Sequence, residues 1–203
     1  MAPPAASSRL ILASSSKYRK ELLSRLHIPF EVMVPEVDET PFAHEAPEST
    51  ALRLAQAKAV AVGKLAPGAL VIGSDQVATL DGEQIGKPGT HHAALEQLQR
   101  MRGRQVIFHT ALCLLDGRQI NGTIQLENIQ TLVRFRDLPD YELDAYLHIE
   151  QPYDCAGSAK NEGLGIALID KIESTDPTAL TGLPLIALTT MLRSVGMQFF
   201  TFK

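Results

Sequence analysis

The sequence predicts an α/β fold. Short apolar runs of β character, such as Leu10 to Ala13 and the run opening at Ala69, recur between stretches whose apolar residues keep helical spacing. Proline, glycine and Asp-Gly punctuation separates these elements. A chain of 203 residues is also long enough to bury a substantial core as one domain spanning 1–203, or one domain with two lobes, and no linker is needed.

Composition narrows the function. At 45% hydrophobic and 21% charged the chain is an ordinary globular protein, and a formal charge of −4 gives no basis for general nucleic-acid or polyanion binding. Any phosphate site must therefore be local. No apolar run reaches the roughly eighteen residues of a membrane span, and Met1 to Ser8 lacks the apolar stretch of a signal peptide. The expectation is a soluble, cytoplasmic protein, with residues 1–8 a tail of unknown order. Cys113 and Cys155 form no disulfide framework and read as reduced, partly buried thiols.

The first strand, Arg9 to Ala13, runs into Ser14-Ser15-Ser16 and a basic amphipathic helix with Leu22, Leu23 and Leu26 inward. A serine-rich helix N-terminus either binds an anion through unpaired backbone amides or merely caps the helix. Phe30 to Val34 is a second strand. The proline-bounded loop Pro35 to Pro41 carries Glu36, Asp38 and Glu39, hard oxygen ligands that suit Mg²⁺ or else form a solvated acidic loop. From Glu48 to Val62, Leu52, Ala55, Ala59 and Val62 define the buried stripe of a helix. Lys58 lies about 80° from its centre, able to bend into a cleft or to snorkel outward, and Arg53 falls on the far side.

Gly73-Ser74-Asp75-Gln76 closes the apolar run from Ala69, placing a carboxylate at the C-terminal end of a buried strand, where ligand crevices form. Val77 to Leu80 and Gln84-Ile85 flank the hairpin signal Asp81-Gly82, which carries Gly86-Lys87-Pro88 back toward Asp75. An acid beside a base reads as a catalytic edge for phosphate chemistry with a metal; the alternative is a turn aspartate and an ordinary surface lysine. Next come a helix from His91 to Met101 and a long hairpin, Val106 to Leu115 with Ile120 to Phe135. A phase change between Leu126 and Ile129 predicts a β-bulge and a bent strand. Pro139 opens a helix to His148 packed through Tyr141, Leu143, Tyr146 and Leu147. The glycine-punctuated loop Tyr153 to Gly165 is of the ligand-binding kind. Ile166 to Ile172 returns to strand, and Gly182-Leu183-Pro184 opens a last helix with Leu185, Leu188 and Leu192 inward.

Several chemistries are excluded. The six histidines have no metal-site spacing on one helix face. Asp81 and Pro88 stand where a phosphate-binding Walker loop needs glycine and Ser or Thr, and neither a Gly-x-Ser-x-Gly elbow nor a dinucleotide glycine signature occurs.

Leu10-Ile11-Leu12-Ala13-Ser14-x-Ser16-x-x-Arg19, Val37-Asp38-Glu39, Arg53-Leu54-Ala55-x-x-Lys58-Ala59, Gly73-Ser74-Asp75-Gln76, Gly86-Lys87-Pro88, Ala156-Gly157 and Gly182-Leu183-Pro184 together resemble the Maf family of nucleotide pyrophosphatases, in order over nearly the whole chain. Ser-Asp-Gln together with Glu162 is similar to its YceF-type branch, associated with 7-methyl-GTP. The resemblance implies a bent mixed β-sheet flanked by helices, two lobes with a central cleft, a homodimer, and hydrolysis of a nucleoside triphosphate to a monophosphate and pyrophosphate. It assigns Asp75 as proton acceptor, Ser14, Arg19, Lys58 and Lys87 as phosphate binders, Tyr18, Gln76 and Glu162 as specificity residues, and Glu39 with Asp75 as contacts of a divalent cation, magnesium or manganese. The surrounding cations are expected to lower the Asp75 pKa. Lys17-Tyr18 replaces the usual Pro-Trp or Pro-Arg, and Lys20 replaces a common arginine. Alternatives are a pyrophosphatase for UTP and dTTP or for ITP, and a non-catalytic nucleotide-binding regulator of cell division.

Overall fold

The structure is a computed structural model that describes residues 9–119 and 122–200. Met1 to Ser8 and Ile120, on which expectations were placed, lie outside the described residues. Elements run β1 (Leu10–Ala13), α1 (Lys17–Ser24), β2 (Glu31–Met33), α2 (Pro47–Leu65), β3 (Leu70–Leu80), β4 (Glu83–Ile85), α3 (His91–Met101), β5 (Gln105–Asp116), β6 (Thr123–Phe135), α4 (Asp140–Glu150), β7 (Ile169–Ser174) and α5 (Leu185–Ser194).

The expected mixed α/β sheet is present: seven strands in the order β2-β1-β3-β5-β6-β7, with β4 also on β3. β1 is parallel to β2 and β3, and all other pairs are antiparallel. β5 takes one edge of β3 from Leu70 to Thr79. The opposite edge is divided, because β1 ends at Ala13 opposite Gly73 and β4 begins its pairing with Ile85 opposite Ala78. Ser74 to Val77 therefore have no strand on that side. Asp81 and Gly82 both adopt positive φ, 52° and 82°, as the tight turn between β3 and β4 requires.

Three apolar clusters surround the sheet. α1 and α5 bury Leu22, Leu23, Leu188 and Leu192 against Leu12, Ile72, Leu112 and Leu114 on one face. On the other, Ala51, Ala55, Ala59 and Val62 of α2 meet Ile11, Val71, Val77 and Cys113. At the far end of the sheet α3 and α4 pack Leu98, Met101, Leu143 and Leu147 around Leu80, Val106, Phe108 and Phe135.

Small residues let α2 lie close to the sheet. A Cβ on Gly73 would stand 2.1 Å from the Ala55 carbonyl oxygen and 2.9 Å from the Ala59 nitrogen, so the helix backbone occupies the space a side chain would need. Side chains alternate along a strand, so Asp75 projects to the same face as Gly73, toward α2. The start of α5 is fixed by the buried Asp176, whose carboxylate accepts the Ile186 and Ala187 N–H groups at 2.7 and 3.2 Å and the Thr178 hydroxyl at 2.8 Å.

Several expectations need correction. Asp75 does not end a strand, because β3 continues through it to Leu80; the parallel pairing with β1 has ended two residues earlier, at Gly73. No bulge interrupts β6 between Leu126 and Ile129, where its register with β5 is unbroken; the irregularity lies at Arg134/Phe135 against β7. Ile124 and Leu126 imitate a phase change because they lie on the face opposite to Ile129, paired with Leu115 and Cys113, and are themselves exposed. Tyr141 points to solvent while Leu143, Tyr146 and Leu147 are buried. Residues Leu164–Leu168 form a 3-10 turn, and the strand begins only at Ile169.

Gly73→Ala is expected to push α2 off the sheet and destabilise the fold by about 1–3 kcal/mol, the usual cost of overpacking. Denaturant unfolding measures this, and an unchanged midpoint would show that α2 can retreat freely.

Candidate active site

The open edge of β3 forms the floor of a cleft of about 680 Å³, a volume in the range of small-molecule sites. Ser14 to Arg19 line one wall, at the end of β1 and the first turn of α1. Gln84 to Lys87 line another, carried there by the β3–β4 turn. Lys58 comes from α2, Glu39 from the acidic loop, and Asp154, Cys155, Asn161 and Glu162 from the late loop. The sequence-predicted residues Ser14, Tyr18, Arg19, Glu39, Lys58, Asp75, Gln76, Lys87 and Glu162 all lie on this one cleft.

Its centre is an ammonium between two carboxylates. Lys58 Nζ is 2.6 Å from Asp75 Oδ1 and 2.6 Å from Glu39 Oε1. Of the three side chains, Lys58 is 8% exposed and Asp75 10%, whereas Glu39 is 56% exposed. Lys58 has thus bent into the cleft. The two carboxyl groups respond in opposite directions. Burial raises the Asp75 pKa, outweighing Lys58 and Arg19, which pull it down, while Glu39 adds a further upward push. The expected lowering is therefore corrected: a carboxylate this desolvated loses more from dehydration than its cations return. Glu39 is also raised by burial, but Lys58, Lys87 and Arg19 together hold it below its ordinary value.

Arg19 is half-buried and donates from Nε to the Gly182 carbonyl at 2.8 Å. The Ser74 hydroxyl lies 2.9 Å from the same oxygen. Gly182 has φ 106°, and a Cβ there would lie 3.4 Å from Arg19 Nε, so this glycine both presents the acceptor and leaves room for the guanidinium. Ser16 caps α1 by accepting the Arg19 N–H, and the Ser14 hydroxyl oxygen accepts the Ser16 N–H. The serines therefore cap the helix, and its N-terminus also faces the cleft.

The Gln76 amide nitrogen is committed to the protein, within 2.9–3.1 Å of Thr110 Oγ1 and the Ala179 and Leu180 carbonyls. Its amide oxygen is the atom left for a ligand. Glu162 is raised above its ordinary pKa, chiefly by burial. Behind it, Lys160 bridges to Glu150 at 2.6 Å. The Cys155 thiol is pushed up to about 12 by burial and Asp154, which keeps it protonated and unreactive.

Sequence reasoning missed the role of Arg53. It does face away from the stripe of α2, but its guanidinium grips Glu45 through Nε at 2.6 Å and Nη2 at 2.7 Å, donates to the Thr40 carbonyl at 3.2 Å and stacks on Phe42. This clasp ties down the loop next to Glu39. Arg53 is the first cause holding the Glu45 carboxyl down at about 2. The sequence signal was the acid-rich loop preceding an arginine on the helix; its geometry was not readable.

Glu39 and Asp75 offer hard carboxylate oxygens already gathered around one cation, a donor set suited to a divalent ion such as magnesium. Among the described residues a separate candidate metal cluster, His91, Asp144 and His148, stands outside the cleft. No helix of the described residues is long and apolar enough to cross a membrane.

The profile of the family described as Maf-like protein matches residues 9–195. A Ralstonia nicotianae protein named 7-methyl-GTP pyrophosphatase is 64% identical over 200 residues, covering 98% of this chain and 100% of its own length. Proteins of the same name from Cupriavidus metallidurans and Paraburkholderia xenovorans are 67% and 69% identical, covering 94% and 93% of this chain and 95% and 92% of theirs. With its motifs gathered on one cleft and its relatives aligned along nearly its whole length, the chain belongs to the Maf family.

Proposed function

We propose that the protein is a nucleotide pyrophosphatase that hydrolyses 7-methyl-GTP to 7-methyl-GMP and pyrophosphate. The observation that carries the reading is the buried Asp75 carboxylate held at the floor of a cleft beside Arg19, Lys58 and Lys87. The substrate follows from the names of the relatives at 64–69% identity. The same reading takes residues 1–203 as one domain and the assembly as a homodimer.

In this reading a water adds in line to the α-phosphorus while Asp75 accepts its proton. The bond from the α-phosphorus to the bridging oxygen then breaks, and pyrophosphate leaves. Burial suits Asp75 to this task, since a raised pKa makes a stronger base, and Lys58 at 2.6 Å keeps it ionised. Arg19, Lys58 and Lys87, with the Ser14 hydroxyl, hold the phosphates and face the charge that builds on the leaving group. Glu39 and Asp75 would hold the divalent ion, magnesium or manganese, which when bound supplies further positive charge to the triphosphate. Tyr18 offers a ring for stacking, Gln76 its amide oxygen, and Glu162 a negative charge to a base made cationic by N7-methylation. Displacement of the Lys58 ammonium from Asp75 toward the phosphates would leave the carboxylate free to take the proton.

The decisive experiment measures pyrophosphate release with Mg²⁺ from 7-methyl-GTP, GTP, UTP, dTTP and ITP. Release should be fastest from 7-methyl-GTP and fall by about 10²–10⁴-fold in Asp75→Asn, the usual range for loss of a general base; full activity in that variant would remove Asp75 from the chemistry. Because Asp75 must be ionised and its pKa is raised from 3.8, kcat/KM should climb with pH through a limb above the ordinary aspartate range. Lys58→Gln, which removes the main downward pull, should move that limb to higher pH, and a stationary limb would assign it to another group. Glu162→Gln should reduce the ratio of kcat/KM for 7-methyl-GTP over GTP about tenfold, equivalent to roughly 1.4 kcal/mol. An unchanged ratio would sink the charge-recognition role.

A further inference from the structure

His91 is the first residue of α3, and Asp144 and His148 lie one turn apart on the same side of α4. Each offers a ligand atom, and these atoms lie within 4.8 Å of one another. His91 Nε2 is 2.8 Å from Asp144 Oδ1, His148 Nδ1 is 3.6 Å from Asp144 Oδ2, and the two imidazole rings stand edge to face with centroids 4.6 Å apart. None of the three lines the cleft.

The hydrogen bonds around them allow the lone pairs to converge. Tyr153 has one hydroxyl proton, and its oxygen lies 3.3 Å from the Leu147 carbonyl oxygen and 3.1 Å from His91 Nδ1. When that proton goes to Leu147, His91 Nδ1 is the donor to Tyr153; when it goes to His91, Nδ1 accepts and Nε2 carries the N–H that meets Asp144. In the first arrangement the Nε2 lone pair faces Asp144 Oδ1 at 2.8 Å. With Nδ1 as the donor to Tyr153, the Nε2 lone pair and the Asp144 carboxylate are free to share one cation, and the ligand atoms of all three residues already lie within 4.8 Å of one another. His148 Nδ1 is 3.0 Å from the Asp144 carbonyl oxygen and donates to it, so in the neutral ring the lone pair is on Nε2, and the ring is exposed and able to turn. Tyr153 behind His91 is the outer partner that metal-binding histidines characteristically have.

We propose that His91, Asp144 and His148 bind a divalent transition metal of the zinc class at a site separate from the catalytic cleft. Two imidazoles and one carboxylate favour such an ion over magnesium, which prefers an all-oxygen shell. Water completes a four-coordinate shell, and modest side-chain rotation brings the ligands to the 2.0–2.2 Å or so that zinc requires. The site is a clasp. It joins α3 to α4 and, through Tyr153, to the start of the loop that bears Glu162; the Gly89 N–H to Tyr153 carbonyl bond, 3.0 Å, ties in the segment just after Lys87.

The full chain, stripped with chelator, is titrated with Zn²⁺ and with Co²⁺ in excess Mg²⁺. One equivalent should bind, give a four-coordinate Co²⁺ visible spectrum and raise the thermal midpoint. His148→Gln and His91→Gln should each weaken binding more than tenfold and abolish the spectrum, and Tyr153→Phe should weaken it by about 10–100-fold, as loss of an outer partner does. Glu39→Gln, in the cleft, should leave binding intact. His148→Gln alters an exposed ring and should keep the metal-free thermal midpoint of the wild type, with pyrophosphate release in Mg²⁺ unchanged. Absence of saturable binding, binding that survives His148→Gln, or binding lost in Glu39→Gln would each overturn the proposal.

Discussion

The close approach of α2 to β3 at Gly73 sets the rest of the site. Because the helix backbone occupies the space above Gly73, the next α2-facing position along β3, Asp75, comes within 2.6 Å of a lysine that would otherwise project past the sheet. Lys58 is thereby drawn out of solvent. A buried ion pair gains little net stability, since dehydration of both charges offsets their attraction. Its value here is positional: it brings a cation and a base into the floor of a cleft already opened by the divided edge of β3.

One ammonium serving two carboxylates explains why they differ. Asp75 and Glu39 each meet Lys58 at the same distance, yet one pKa is raised and the other lowered. The difference is hydration. Glu39, on its loop, keeps contact with water and also senses Lys87 and Arg19; Asp75, in the sheet, has too little water to stay an easy anion. The cleft thus contains a poor base and a good one on a single cation, a separation of the kind that assigns acid, base and binding roles in hydrolytic sites. The loop bearing the weaker base is in turn anchored by Arg53 through Glu45.

Much of this arrangement was readable in the residues. The Asp81-Gly82 turn, the serine cap of α1 and the sideways position of Lys58 follow from local rules and stand as expected. What could not be read depended on partners distant in sequence. Asp75 resembled a strand end because the apolar run stops there, whereas β3 continues along β5, and β4 later takes the edge that β1 leaves. Ile124 and Leu126 looked like evidence of a bulge because hydrophobicity was equated with burial, and both are exposed. The direction of the Asp75 shift required knowing how much water surrounds it. The His91, Asp144 and His148 cluster escaped notice because it joins two helices rather than lying along one.

The gap between β1 and β4 has a consequence for the chain's neighbours. An open stretch of strand edge is ordinarily an invitation to another polypeptide, whose own strand can extend the ladder. Here the unpaired edge of Ser74 to Val77 is stopped at both ends by strands of the same protein and lies at the bottom of a cleft lined with charge. A foreign strand would have to bend sharply to reach it and would bury lysines and carboxylates on arrival, whereas a compact polyanion would not. The break that admits the nucleotide is thus also closed to strand pairing with another chain, so catalytic access and protection of this edge follow from the same missing strand.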